Sequence, residues 1–234
     1  LRYSPIMGVF LTNADVDHTA GLINLRESQA FNLYATERVI NVLNSNSIFN
    51  VLNPKFVNKV PIKLDNYLEL LNADNTPSGI KVKAFAVPGK VALWLEDANK
   101  GANFGSVDED TIALEICNEE TGASFFYIPA CAYVPDWLKE KLNNTNLLFF
   151  DGTLWTDDEM IRQKVGIKTG KRMGHISMSG EEGSLNIFKN VKINRKIFIH
   201  INTTNPALLN NSSERKILED AGWEVAYDTM EIKI

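Results

Sequence analysis

The chain has 234 residues, enough for one substantial core, and its 44% apolar and 23% charged residues match a globular protein. A formal net charge of -5, with no basic cluster large enough to override it, argues against a nucleic-acid binder, and no apolar run reaches membrane-spanning length. Cys117 and Cys131 are too few for a disulfide framework and form no Cys-x-x-Cys pair, so both are expected as reduced thiols in or near a core.

The opening residues Leu1-Arg-Tyr-Ser-Pro5 read as the middle of a protein, and an N-terminal portion is expected to be missing. Residues 6–12 predict a buried strand. The period then changes over Thr19–Glu27, where Leu22, Ile23 and Leu25 can pack in a helix. Phe31–Ala35 is a short strand, and Thr36 is placed to cap a helix with Val39, Ile40 and Leu43 as its apolar stripe. Residues 44–79 are Asn-rich with short strand-like pieces. Ile80–Val87 alternates as a strand does and ends at Pro88-Gly89; residues 96–110 read as loop.

Thr111–Cys117 and Ala123–Ile128 predict a hairpin turned by Asn118–Gly122. Pro135 starts a helix to Leu142, and Asn146–Phe150 is a strand ending at Asp151-Gly152. Ser179-Gly-Glu-Glu182 fits a capping box. Lys196–Ile201 is a strand, Ser212 or Ser213 caps a helix over Glu214–Ala221, and Gly222 stops it. Trp223–Tyr227 and Met230–Ile234 are the last two strands expected. Hairpins mixed with single helices imply two sheets flanked by helices in one domain, residues 1–234.

Only three histidines occur: His18, His175 and His200. His18, in Asp15-Val-Asp17-His18, lies at a predicted strand exit, as does Asp151; His200 sits in Ile199-His200-Ile201 near the end of another strand. Aspartate and histidine at sheet edges supply oxygen and nitrogen ligands suited to zinc or iron. A lone histidine or aspartate there is commonly structural. Their joint occurrence in a histidine-poor chain favours a metal pocket.

Asn13-Ala-Asp15-Val-Asp17-His18 resembles the metallo-beta-lactamase motif His-x-His-x-Asp-His, with Asn13 and Asp15 at its first two histidine positions. Closer resemblance is to the coenzyme PQQ synthesis protein B family. It is carried by Leu11–Leu22, by Phe149-Phe-Asp-Gly-Thr-Leu-Trp-Thr-Asp-Asp-Glu159, by Met173-Gly-His-Ile-Ser-Met-Ser-Gly180 and by Phe198-Ile-His-Ile-Asn-Thr-Thr-Asn-Pro206. Gly222-Trp-Glu-Val-Ala226 matches a C-terminal signature. The resemblance implies an α/β fold, a four-layer αββα sandwich of the metallo-beta-lactamase type.

It further implies one intact metal site formed by Asp17, His18, Asp151 and His200. A first site is degraded at Asn13 and Asp15, and Lys90 stands where a third histidine is expected. Fe(2+) is the expected metal, with Zn(2+) as the alternative. His175 and Asp15 are the implied acid/base or supporting groups, and Asn13, Trp155, Asn202 and Thr204 the substrate-pocket candidates. The basic residues Arg162, Lys164, Lys168, Lys171 and Arg172 suit a small peptide or a Glu/Tyr-derived substrate from PqqA as readily as they suit a solvated loop.

The implied activity is PQQ biosynthesis by metal- and oxygen-dependent hydroxylation of a tyrosine moiety, in the cytoplasm, without nucleic-acid or membrane partners and with a homodimer allowed. Two other readings stay open at this level: a hydrolase of a phosphodiester, ester or lactone, and a non-catalytic PQQ carrier.

Overall fold

In the computed structural model, which describes residues 3–101 and 104–234, the chain divides after Gly122 into two units. In the first, β1 (Gly8–Phe10), β2 (Phe31–Thr36) and β3 (Val57–Ile62) pair in parallel in the order β1-β2-β3. All six residues of β2 are buried, the polar Asn32 among them, whose side-chain amide donates to the Leu71 and Asn72 carbonyls at 3.2 Å.

Two short helices belong to this sheet, α1 (Val16–Thr19) and α2 (Glu37–Ser45). Thr36 caps α2 as predicted, its hydroxyl accepting the Val39 N–H at 3.3 Å. The stripe Val39, Ile40 and Leu43 is buried, and α2 packs on β2 and β3. Leu11, Leu22, Leu33, Leu43 and Phe49 share one core. Strands β4 (Tyr67–Leu71), β5 (Pro77–Ala86) and β6 (Ile112–Asn118) form an antiparallel ladder in that order. The alternating stretch from Ile80 is the middle of β5, and strand pairing stops before Pro88 and Gly89.

The second unit is built on four parallel strands in the order β10-β9-β8-β7. They are β7 (Ser124–Ile128), β8 (Thr145–Asp151), β9 (Ile193–Ile199) and β10 (Trp223–Val225). Between them lie α3 (Asp136–Leu142), α4 (Glu159–Arg162), α5 (Gly170–Met173), α6 (Ser184–Ile187) and α7 (Ser213–Asp220). Ser212 is the cap of α7, accepting the Arg215 N–H at 3.0 Å, and Gly222 leaves the helix at φ +75°. The core is aromatic: Trp223 stacks on Phe198 with centroids 3.9 Å apart, and Phe188 meets Phe150 edge-on at 4.9 Å.

Four expectations are corrected. The first strand spans only Gly8–Phe10. The stretch from Thr19 gives a 3-10 turn, Ala20–Leu25, and not an α-helix; Gly21 and Asn24 are poor helix formers. Ser179–Glu182 is no capping box. Its Ser179 hydroxyl donates to the Trp155 carbonyl at 2.7 Å, Glu182 pairs with Lys171 at 2.7 Å, and α6 begins later with Gly183 as its cap. Residues 230–234 join no ladder. Of the loop predicted over 96–110, residues 102 and 103 lie outside the described residues; the rest is turns and short 3-10 segments. No helix among the described residues is long and apolar enough to cross a membrane.

Candidate metal centre

Because β7, β8 and β9 run parallel, their carboxyl ends face one edge of the second unit, the edge where parallel sheets place their sites. Backbone bonds lace the loops there together. Ile176 N–H donates to Cys131, Met178 N–H to Leu154, Gly152 N–H to Ile199, and Asn202 N–H to Thr153, all at 2.7–3.0 Å. Gly152 is required by this closeness. A Cβ at that position would stand 2.7 Å from Met178 Cε and 2.9 Å from Phe198 Cβ.

Asp151, the last residue of β8, is fully buried. Its Oδ2 accepts the Cys131 N–H at 2.9 Å and lies 2.7 Å from His175 Nδ1. Its Oδ1 accepts the Thr153 N–H at 3.1 Å and the Thr153 hydroxyl at 2.6 Å. Burial pushes this carboxyl up, but the charge and hydrogen bond of His175, the charge of His200 and the Thr153 hydroxyl outweigh it and hold Asp151 below the usual carboxylate range.

His175 follows α5, whose αL cap Gly174 turns the chain toward Asp151. His200 follows β9 at φ +54°, in the left-handed region that histidine, asparagine and aspartate enter more readily than other side chains. The two imidazoles stack with centroids 5.1 Å apart and planes 20° from parallel. Asp151, His175 and His200 each bring a ligand atom within 4.8 Å of the others'. One carboxylate and two imidazoles are a donor set that fits zinc or iron(II).

Thr153 joins this cluster and was not singled out from the sequence. Its hydroxyl lies 2.8 Å from His200 Nδ1 and 3.1 Å from His175 Nδ1. The signal available was its place two residues beyond the strand-end aspartate; threonine by itself suggests no chemistry.

The predicted pocket residues of this unit are mostly tied to one another. Glu159, 3% exposed, accepts the Trp155 N–H at 2.8 Å and the Thr204 hydroxyl at 2.5 Å. Asn202 donates its side-chain amide to Thr204 Oγ1 at 2.9 Å. Trp155, Glu159 and Arg162 line a surface cavity of about 270 Å³ with Gln163, Pro206 and Glu214.

The remaining predicted residues are in the first unit. Asp17 and His18 lie on α1, and Thr12 Oγ1 stands 3.4 Å from His18 Nδ1. Asn13 is buried and accepts the Asp15 N–H at 3.0 Å, an Asx turn leading into α1. Asp15 Oδ1 accepts the Leu93 N–H at 3.1 Å and lies 4.0 Å from the Lys90 ammonium, which is itself 3.5 Å from Glu96 Oε1.

Residues 1–201 match the family model for the Beta-lactamase superfamily domain. Coenzyme PQQ synthesis protein B of Bradyrhizobium diazoefficiens is 49% identical over 233 residues, 99% of this chain and 75% of that protein. The protein of the same description from Rhodopseudomonas palustris strain TIE-1 is 46% identical over 234 residues, 100% of this chain and 76% of that one. The crystal structure of Zn(2+)-bound PqqB from Methylobacterium extorquens is similar at a TM-score of 0.91 and 44% identity, covering 100% of this chain and 75% of that chain.

Proposed function

Because the chain belongs to the coenzyme PQQ synthesis protein B family, within the metallo-beta-lactamase fold superfamily, we propose that it acts in PQQ biosynthesis as a metal-dependent enzyme that hydroxylates the tyrosine ring of a Glu/Tyr precursor derived from PqqA. The observation that carries the metal reading is the donor cluster of Asp151, His175 and His200 at the carboxyl edge of the parallel strands. A bound iron(II) ion supplies redox chemistry toward dioxygen, whereas zinc supplies Lewis acidity. Hydroxylation places one oxygen atom on the ring and releases the other as water, with two electrons from an external reductant.

The chain's own groups have separable tasks. Asp151 holds His175 through Nδ1, so Nε2 is the ring nitrogen left with its lone pair for the ion. Trp155 offers an aromatic face beside the Glu159 and Arg162 cavity, a wall suited to a tyrosine ring. In the first unit, the Lys90 ammonium already places a positive charge near Asp15 and Glu96, which supports a single ion per chain.

The test is oxygen uptake by the iron(II)- and zinc-loaded protein with a tyrosine-containing precursor. Iron-dependent uptake matched by ring hydroxylation, and abolished in Asp151→Asn and His200→Ala, is expected. Cleavage of an ester or phosphodiester by the zinc form without oxygen uptake would replace this reading with a hydrolase. Two tightly bound ions per chain in elemental analysis would overturn the single-ion assignment.

A further inference from the structure

Thr153 has one hydroxyl proton and four polar neighbours. Its Oγ1 is 2.6 Å from Asp151 Oδ1, 2.8 Å from His200 Nδ1, 3.0 Å from the His200 carbonyl and 3.1 Å from His175 Nδ1. The carboxylate oxygen is the nearest, and an O–H bond to a charged oxygen is the strongest of the four choices. With its proton directed to Asp151, Thr153 has only lone pairs to offer an imidazole. His200 Nδ1, at 2.8 Å, must then carry its own hydrogen.

His175 reaches the same state by a separate contact. Its Nδ1 faces Asp151 Oδ2 at 2.7 Å, and a carboxylate only accepts. We propose that Thr153 is a positioning residue: it holds His200 in the Nδ1–H tautomer that Asp151 imposes on His175, so that Nε2 of each ring carries the lone pair. A pair of imidazoles preset in this way suits a divalent transition metal of the zinc and iron class. The hydrogen bond on one ring nitrogen sets the orientation and basicity of the other.

The threonine also explains why a fully buried carboxylate is tolerated here. In the metal-free chain Asp151 receives two backbone N–H groups, one hydroxyl and one imidazole, so its buried charge is compensated. Removing the hydroxyl takes one donor from Asp151 and one acceptor from His200 in a single step.

The experiment is nitrogen NMR on the metal-free full chain, labelled at histidine, at about pH 8.5, roughly two units above the ordinary histidine pKa. The three imidazoles are told apart by His18→Gln and His175→Gln. In the wild type, His175 and His200 are expected with hydrogen on Nδ1. In Thr153→Val, His200 should shift toward Nε2–H while His175 keeps its tautomer, and zinc affinity should fall by about 10–100-fold. Thr153→Ser should restore both.

A wild-type His200 with its hydrogen on Nε2 would overturn the proposal, as would a folded Thr153→Val whose His200 tautomer is unchanged. If the valine variant does not fold, the wild-type and serine spectra still decide. The zinc arm rests on the metal reading above, whereas the tautomer arm is read without metal. Failure of wild-type zinc binding would therefore sink that reading and leave the tautomer result standing.

Discussion

At the scale of single residues, the site depends on groups with little sequence signal of their own. Gly152 is one of them. Its missing side chain lets β8 and the end of β9 approach, and so places Asp151 and Thr153 beside His200. In Gly152→Ala, Phe198, Met178 or the Ile199 carbonyl must move, and Phe198 is stacked on Trp223 in the core. The expected cost is about 1–3 kcal/mol, as for other overpacked cores. Urea unfolding measures it, and an unchanged midpoint would mean that the strands have slack.

Zinc affinity should weaken in the same variant, because the imidazole of His200 hangs from a backbone already in the left-handed region. Asp151 and His200 were singled out as candidate ligands, and His175 as an acid/base candidate, because aspartate and histidine announce such chemistry and histidine is scarce in this chain. Gly152 and Thr153 were not, since their roles are a close approach and a shared hydroxyl. Both are properties of neighbours brought together by the parallel strands.

At the scale of elements, helix caps were readable where the side chain bonds to its own helix. Thr36 shows this and also carries a longer connection: its hydroxyl donates to the Glu109 carbonyl at 3.0 Å while accepting the Val39 N–H. Thr36→Ala removes the cap and leaves the partly buried Glu109 carbonyl without its hydroxyl donor. The cap alone accounts for about 1 kcal/mol and the lost hydrogen bond to Glu109 for about 0.5–1.5 kcal/mol more. Thr36→Ser keeps the oxygen and should recover most of the loss in the same denaturation series; a serine variant as weak as the alanine one would assign the loss to the methyl group.

The Ser179–Glu182 misreading has the opposite cause. Both side chains have tertiary partners, Trp155 and Lys171, that outcompete a local cap, and periodicity carries no information about partners so far along the chain. β2 matches the short strand expected over Phe31–Ala35, while β1 came out shorter than its pattern. At the far end, residues 230–234 have strand composition but no ladder to join.

At the scale of the whole molecule, the family was legible from four long motifs because the candidate ligands and the residues around them cluster in short segments at strand ends. No linker composition marks the division after Gly122. The same clustering makes a global measurement sensitive to the site. A metal that binds the folded chain and not the unfolded one adds RT ln(1 + [L]/Kd), about 2.7 kcal/mol at a free concentration of 100 times Kd.

For a chain of this size 1 kcal/mol moves Tm by about 2–4 °C, so zinc or iron(II) at that concentration should raise Tm by about 5–11 °C and a chelator should reverse it. His200→Ala should abolish most of the shift, because it removes one of the three donors gathered within 4.8 Å. Its own metal-free Tm controls for damage to the fold. A wild-type Tm indifferent to metal and chelator would leave Asp151, His175 and His200 as a hydrogen-bonded structural cluster. An equal metal shift in His200→Ala would place the ion on other residues.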